Sequence, residues 1–226
     1  MKQKFILAIE TSTEHLGVAV VSLDGKCLAE HNEVAYRNLS DNLHPAVDAV
    51  MTAAGIPYEA LKLIAVTKGP GSFTSIRVGL SAAKGFAFAL DIPIVSLTSF
   101  EALAYTYSEV GKKLSVWVEA HGGKIYTQNF KEGKVISEAL FTPSNKASKT
   151  LEEGDILIGN GVLKHQDDIP KGVIYKQSWA YVSPISLAKL ALERFNQNTS
   201  DVNNTKPLYI QKLNYHKTYN KDGTKI

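Results

Sequence analysis

The order of hydrophobic runs constrains this 226-residue chain more than any single motif, because that order occurs twice. Strand-like runs at 5–9, 17–23 and 28–35 open the chain, and Asp24-Gly25 places a hairpin signal between the second and third. A helical pattern follows over 40–54, with Ser40 or Asp41 as its cap and Gly55 as its stop. A buried strand at 63–67 leads into a helix capped by Ser72 that runs to about Leu90 and ends at Asp91-Ile92-Pro93. A strand at 94–97 and a helix at 99–109 complete the half. The second half repeats the order. Strands are predicted at 114–119, 125–130 and 135–141, the last two joined through Glu132-Gly133. A short helix at 144–151, a strand at 156–158 ending in Gly159-Asn160-Gly161, a strand at 173–175 and a helix at 184–195 follow. Three strands and then alternating helices and strands, twice over, predict a duplicated α/β unit with its boundary near Gly111.

Bulk properties exclude several classes. A hydrophobic content of 44% with 21% charged residues is that of a globular chain with a real core. The net charge of +3 is too small to argue for nucleic-acid binding by itself. Cys27 is the only cysteine, so no internal disulfide forms, and a reducing, cytoplasmic setting is expected. No apolar run approaches the roughly 20 residues that span a bilayer, so no membrane partner is expected. The apolar run after Lys4 breaks at Glu10, short of the roughly 7–15 residues of a signal-peptide core. It reads as a strand.

The stretch KGPGSFTSIRVGLSAAKG, residues 68–85, combines a glycine turn with a helix start, a pairing that often holds phosphate. It lacks the lysine-serine/threonine end of a Walker A loop, and Thr74 stands where a dinucleotide fingerprint needs its third glycine. In the helix, Phe73, Ile76, Leu80, Ala83, Ala87 and Leu90 form one apolar stripe, expected to face the sheet. Ser75, Gly79, Ala82 and Phe86 form a second stripe, mostly small, with room for another helix. The glycine turn is read as the device that swings this helix across its sheet. Other chemistries find no support. The six histidines include no pair at metal-binding spacing, so no metal is expected. No Gly-x-Ser-x-Gly elbow surrounds Ser72, and nothing near Cys27 marks it as activated.

ILAIETST at the start, KGPGSFTSIRVGLSAAKG, DIPIVSLTSFEALA and KPLYIQK near the end resemble, in that order, the bacterial TsaB (YeaZ) family. The resemblance is dense over about residues 5–105 and thin from 112 to 200. It implies a duplicated actin-like ATPase fold of the ASKHA, RNase H-like type, built from two βββαβα lobes. Residues 1–111 would form the first lobe, 201–226 would return to it, and 112–200 would form a smaller second lobe. It also implies an accessory subunit for threonylcarbamoyladenosine modification of tRNA, without catalytic residues of its own. The implied partners are a TsaD-like catalytic subunit, a TsaE-like ATPase subunit, a second copy when alone, and tRNA only through the complex. The implied interface centres on Phe73, Ser75, Ile76, Gly79, Ala82 and Phe86.

Actin-like ATPases place an acidic residue and a phosphate-facing turn where Glu10-Thr11-Ser12-Thr13 stand here. Glu10, Thr11, Ser12, Gly69, Gly71, Ser72 and Arg77 are therefore the candidates for lying near a nucleotide. ETST has no glycine, however, and its polar groups read more simply as tying off a turn. No cofactor is expected within the chain itself, while ATP or ADP at the subunit junction of the complex stays open. An autonomous ATPase or sugar-kinase-like enzyme is the alternative reading, to which only Gly159-Asn160-Gly161 contributes a second glycine turn. The chain departs from the family at Ser75 (usually glycine), at Leu39-Ser40 (usually histidine-serine) and along Glu119-Ala120-His121-Gly122-Gly123-Lys124. The tail carries Lys212, Lys217, Lys221 and Lys225 among Tyr215 and Tyr219, and reads as solvated rather than as an RNA clamp.

Overall fold

The computed structural model describes residues 4–35, 38–107, 111–195 and 205–210. Strand β1 (Phe5–Glu10) is buried along its whole length, its first five residues as an apolar run requires and Glu10 with them. Together with β2 (His15–Ser22) and β3 (Cys27–Val34) it forms an antiparallel meander. On its other side β4 (Leu61–Thr67) and β5 (Ile94–Leu97) add in parallel, for the order β3-β2-β1-β4-β5. Helices α1 (Leu39–Ala54) and α2 (Phe73–Leu90) cover one face. Helix α3 (Ser99–Tyr107) ends the described part of the half.

The second sheet repeats the topology. Strands β6 (Lys113–Ala120) and β7 (Lys124–Lys131) pair antiparallel, and β10 (Ile156–Ile158) and β11 (Ile174–Tyr175) add in parallel beyond β6. The run predicted as one strand at 135–141 is two, β8 (Lys134–Val135) and β9 (Leu140–Pro143), both paired with β7. The break has a local cause. Ser137 Oγ accepts the Asn129 amide at 2.9 Å, so a side chain replaces a ladder bond. Only short helices, α4 (Ser144–Ala147) and α5 (Gly161–Lys164), cover the outer face, over a small cluster around Trp117, Ile125 and Leu157.

The largest core lies between the sheets. Ile6 and Ala8 of β1 face Val116, Val118 and Ile158 of the second sheet across helix α3 and the last helix, α6 (Pro184–Phe195). The two helices are exchanged. Helix α3 packs on β6 and β7, whereas α6, although it falls within 112–200, packs on β1, β2, β4 and β5 of the first sheet. Each fully buried Ile or Leu here contributes about 1.5–3 kcal/mol relative to exposure.

Candidate functional site

The glycine turn is a joint between β1 and α2. Gly71 lies so close to the turn after β1 that a Cβ on it would stand 1.9 Å from the Ser12 carbonyl oxygen. The Ser72 amide donates to that same oxygen at 2.8 Å, and Ser72 Oγ accepts from the Ser75 amide to cap α2. One residue earlier in the turn, Thr11 Oγ1 donates to the Ser75 carbonyl at 3.0 Å. Gly69 accepts the Ser99 amide, which fastens the turn to the start of α3.

Glu10 is 1% exposed, and its Oε1 accepts from both the amide and the hydroxyl of Ser12. Its Oε2 is buried without a hydrogen-bond partner. Burial, only partly offset by the Ser12 hydroxyl and amide, pushes its carboxyl up to about 6. Glu10, Thr11 and Ser12 are thus buried, with Gly71 packed against the Ser12 backbone. Gly71 and Ser72 reach the rim of a cavity between the two halves, while Glu10, Thr11 and Ser12 are held inside the joint. Gly159-Asn160-Gly161 behaves alike: a Cβ on Gly159 would stand 2.2 Å from the Trp117 carbonyl oxygen.

Helix α2 divides its faces differently from the stripes read in the sequence. Ile76, Leu80, Ala83 and Ala87 are buried against the sheet as expected. Ser75 and Gly79 are also buried within the chain, since a Cβ on Gly79 would stand 2.0 Å from Thr11 Oγ1. They are therefore not partner-facing, and neither is Ile76 at 1% exposure. Phe73 leaves the sheet and is 45% exposed. Together with Ala82 and Phe86 it lines an open groove of about 830 Å³ between α1 and α2. Leu43 and His44 of α1 supply the opposite wall. Phe86 is held between His44 (centroids 5.8 Å apart) and Tyr58 (5.9 Å, stacked). Arg77 lies at the lip of this groove and not at the turn: its guanidinium carbon is 3.6 Å from the Phe73 ring centroid, and its Nε donates to Tyr209 Oη at 2.9 Å.

A second cavity, about 800 Å³, opens between the two halves, lined by Glu14, Glu119, Lys124, Tyr126, Asn160 and Tyr209 among others. Asn160 Nδ2 and Tyr181 Oη both donate to the Glu14 carboxylate, at 3.0 and 3.2 Å. Asn160 Oδ1 accepts the Glu119 amide, and the Glu119 side chain meets His165 Nε2 at 2.8 Å. Lys124 Nζ lies over the Phe141 ring at 4.9 Å. The stretch Glu119–Lys124 that departs from the family therefore forms a wall of this cleft. Among the described residues no cluster of three or more His, Cys, Asp or Glu side chains could hold a metal ion. No helix among them is long and apolar enough to cross a membrane. The basic tail from Gln211 onward lies outside the described residues.

Sequence reading missed the α1 wall, the Tyr58 and His44 clamp, and the bridge through Glu14. The exposed His44 on an otherwise amphipathic α1 was the one available signal for the first of these.

Two mixed sheets of identical strand order with helices exchanged between them define a duplicated actin-like α/β protein. The activator of 2-hydroxyisocaproyl-CoA dehydratase from Clostridium difficile, solved with bound ADPNP, shares that fold at a TM-score of 0.53, 8% identity, and coverage of 86% of this chain and 96% of its own. YeaZ from Pseudomonas aeruginosa superposes far better, with a TM-score of 0.78, 22% identity, and coverage of 92% of this chain and all (100%) of its own. In sequence the chain is 30% identical over 218 residues to the tRNA threonylcarbamoyladenosine biosynthesis protein TsaB of Bacillus subtilis, covering 91% of this chain and 93% of that one. It is 24% identical to its namesake in Haemophilus influenzae, covering 93% and 95%. A family profile described as TsaD, tRNA N6-adenosine threonylcarbamoyltransferase, matches residues 31–172. Likeness to an actual transferase is partial: that of Streptococcus sanguinis is 36% identical over 110 residues, 42% of this chain and 33% of the enzyme. The chain belongs to the TsaB (YeaZ) family.

Proposed function

We propose that this chain is the non-catalytic subunit of a bacterial tRNA N6-threonylcarbamoyladenosine complex, docking a TsaD-like transferase through the α1–α2 groove. The groove carries the reading. It is an open channel with mostly apolar walls, and among the described residues no element covers Phe73, Ala82 and Phe86 in it. Exposed apolar surface of that kind marks interaction sites on water-soluble folds. A second copy would occupy the groove when the chain is alone, and a TsaE-like ATPase subunit would join the assembled pair, with tRNA reached only through the complex. An autonomous ATPase is opposed by the joint, where Glu10 is buried and hydrogen-bonded to Ser12.

The test is co-purification with the host's TsaD-like protein, followed by a tRNA modification assay with and without this chain. The expected result is a stable complex and modification that depends on both proteins. Steady ATP turnover by the isolated chain, abolished in Glu10→Gln, would replace this reading with the enzyme.

A further inference from the structure

We infer that Arg77 is the specificity element of this surface: it is held ready for a carboxylate of the transferase subunit, and it favours that heterologous partner over a second copy of the chain. The inference rests on the docking function proposed above.

The geometry of Arg77 is fixed before any partner arrives. Its guanidinium lies 3.6 Å from the centroid of Phe73, and its Nε is spent on Tyr209 Oη at 2.9 Å. Tyr209 is itself held, since its ring packs on Phe73 with centroids 5.4 Å apart, and the preceding Leu208 amide donates to the Lys68 carbonyl at 2.7 Å. An arginine clamped on both the stacking face and the Nε edge keeps its two terminal nitrogens as a fork, the arrangement that binds a carboxylate bidentately. Little rotamer freedom remains to be lost on binding.

What the fork lacks is an anion. Among the described residues Arg77 makes no ion pair with an aspartate or glutamate, although it is exposed at the edge of an apolar groove. The groove lining supplies none: it includes no acidic residue, and its other ionisable residue is His44. Asp48, on the same helix as His44, is taken by the Tyr58 hydroxyl at 2.5 Å.

A two-fold dimer brings the same patch of each copy together. Two such grooves would then meet with two arginines and no carboxylate in either lining. A different subunit is free to carry an aspartate or glutamate opposite Arg77, so the charge that is unpaired in the homodimer becomes an ion pair in the heterodimer. Selection between partners thus comes from a penalty in one complex and a gain in the other.

The experiment measures two affinities side by side for the full chain: self-association by sedimentation, and binding to the host's TsaD-like transferase by calorimetry at low and high salt. Arg77→Ala should weaken the heterodimer about ten- to hundredfold, as loss of a charge-assisted bidentate contact does. It should flatten the salt dependence and leave self-association unchanged or tighter. Arg77→Lys should recover little, because a point charge does not reproduce the fork, and Tyr209→Phe should show a smaller loss in the same direction. Equal binding of the transferase by wild type and Arg77→Ala would overturn the inference, and so would equal weakening of both complexes. Ala82→Arg separates this from the parent reading: if that variant still binds the transferase at full strength, the groove is not the docking site and both ideas fail.

Discussion

The side-chain amide of Asn160 donates to Glu14 Oε2 at 3.0 Å, joining residues 146 positions apart across the cleft between the two halves. Asn160 is 2% exposed and uses its other end on the Glu119 amide, so both of its polar atoms are committed. Asn160→Asp would set a second carboxylate against Glu14 and remove the donor. We expect a loss of about 2–4 kcal/mol at pH 7. The deficit should shrink toward pH 4, because a protonated carboxyl donates again. Urea unfolding of both chains at the two pH values measures this, and coincident midpoints at pH 7 would show that the bridge adds nothing.

Gly79 faces Thr11 at a distance that admits no methyl group, 2.0 Å from an added Cβ to Oγ1. Gly79→Ala gains about 1 kcal/mol of helix propensity but overpacks the joint, a cost of about 1–3 kcal/mol. The net expectation is destabilisation. Removing the obstructing hydroxyl in Thr11→Ala should make the double variant more stable than the two single effects summed. A purely additive cycle would mean that α2 shifts freely and the joint is loose.

Glu10 gives the chain a pH dependence of opposite sign to an ordinary paired carboxylate. Burial raises its folded value from 4.5 to about 6, so the folded state holds this proton more tightly than the unfolded chain. The associated stability is complete below about pH 4.5 and is lost as the pH rises through about 6, in total about 2 kcal/mol. Glu10→Gln escapes that loss. It should unfold at higher temperature than wild type at pH 8 and at nearly the same temperature at pH 4. Thermal melts at the two pH values decide it, and a wild type more stable than the variant at pH 8 would show that the carboxylate is satisfied.

Ala82 sits half-buried on the open side of α2, in the groove. An arginine there would place an unpaired charge in the apolar seam and cost several kcal/mol of association, enough to turn a micromolar dimer into a monomer. The monomer should keep its fold, since Ile76, Leu80, Ala83 and Ala87 carry the contact with the sheet. Light scattering together with circular dichroism reads both halves of this statement. An intact dimer places the contact elsewhere, and an unfolded chain makes Ala82 part of the core.

Local sequence was sufficient for the elements and for their repetition. β1 opens with five consecutive apolar residues and β4 carries four from Leu63 to Val66, α2 has its own cap at Ser72, and Gly55 ends α1 in a left-handed conformation at φ 65°. These features depend on near neighbours alone, so they can be read along the chain. The glycine turn is legible in the sequence as what swings α2 across its sheet. The reason it needs glycine was not legible, because Ser12, which fills the space, stands far earlier in the chain.

Legible along the chain were therefore the duplicated βββαβα order, the family, and one helix with more apolar and small surface than a single sheet contact uses. Which part of that surface stays open follows from long-range packing. Ser75 is closed by Thr11 from 64 residues away, Gly79 by the same side chain, and Arg77 is clamped by Tyr209 from 132 residues away. Helices α3 and α6 likewise chose each other's sheets. Periodicity tells which residues share a face, but the partner of that face is chosen by segments distant in the chain, through close packing and hydrogen bonds that leave no mark on local composition.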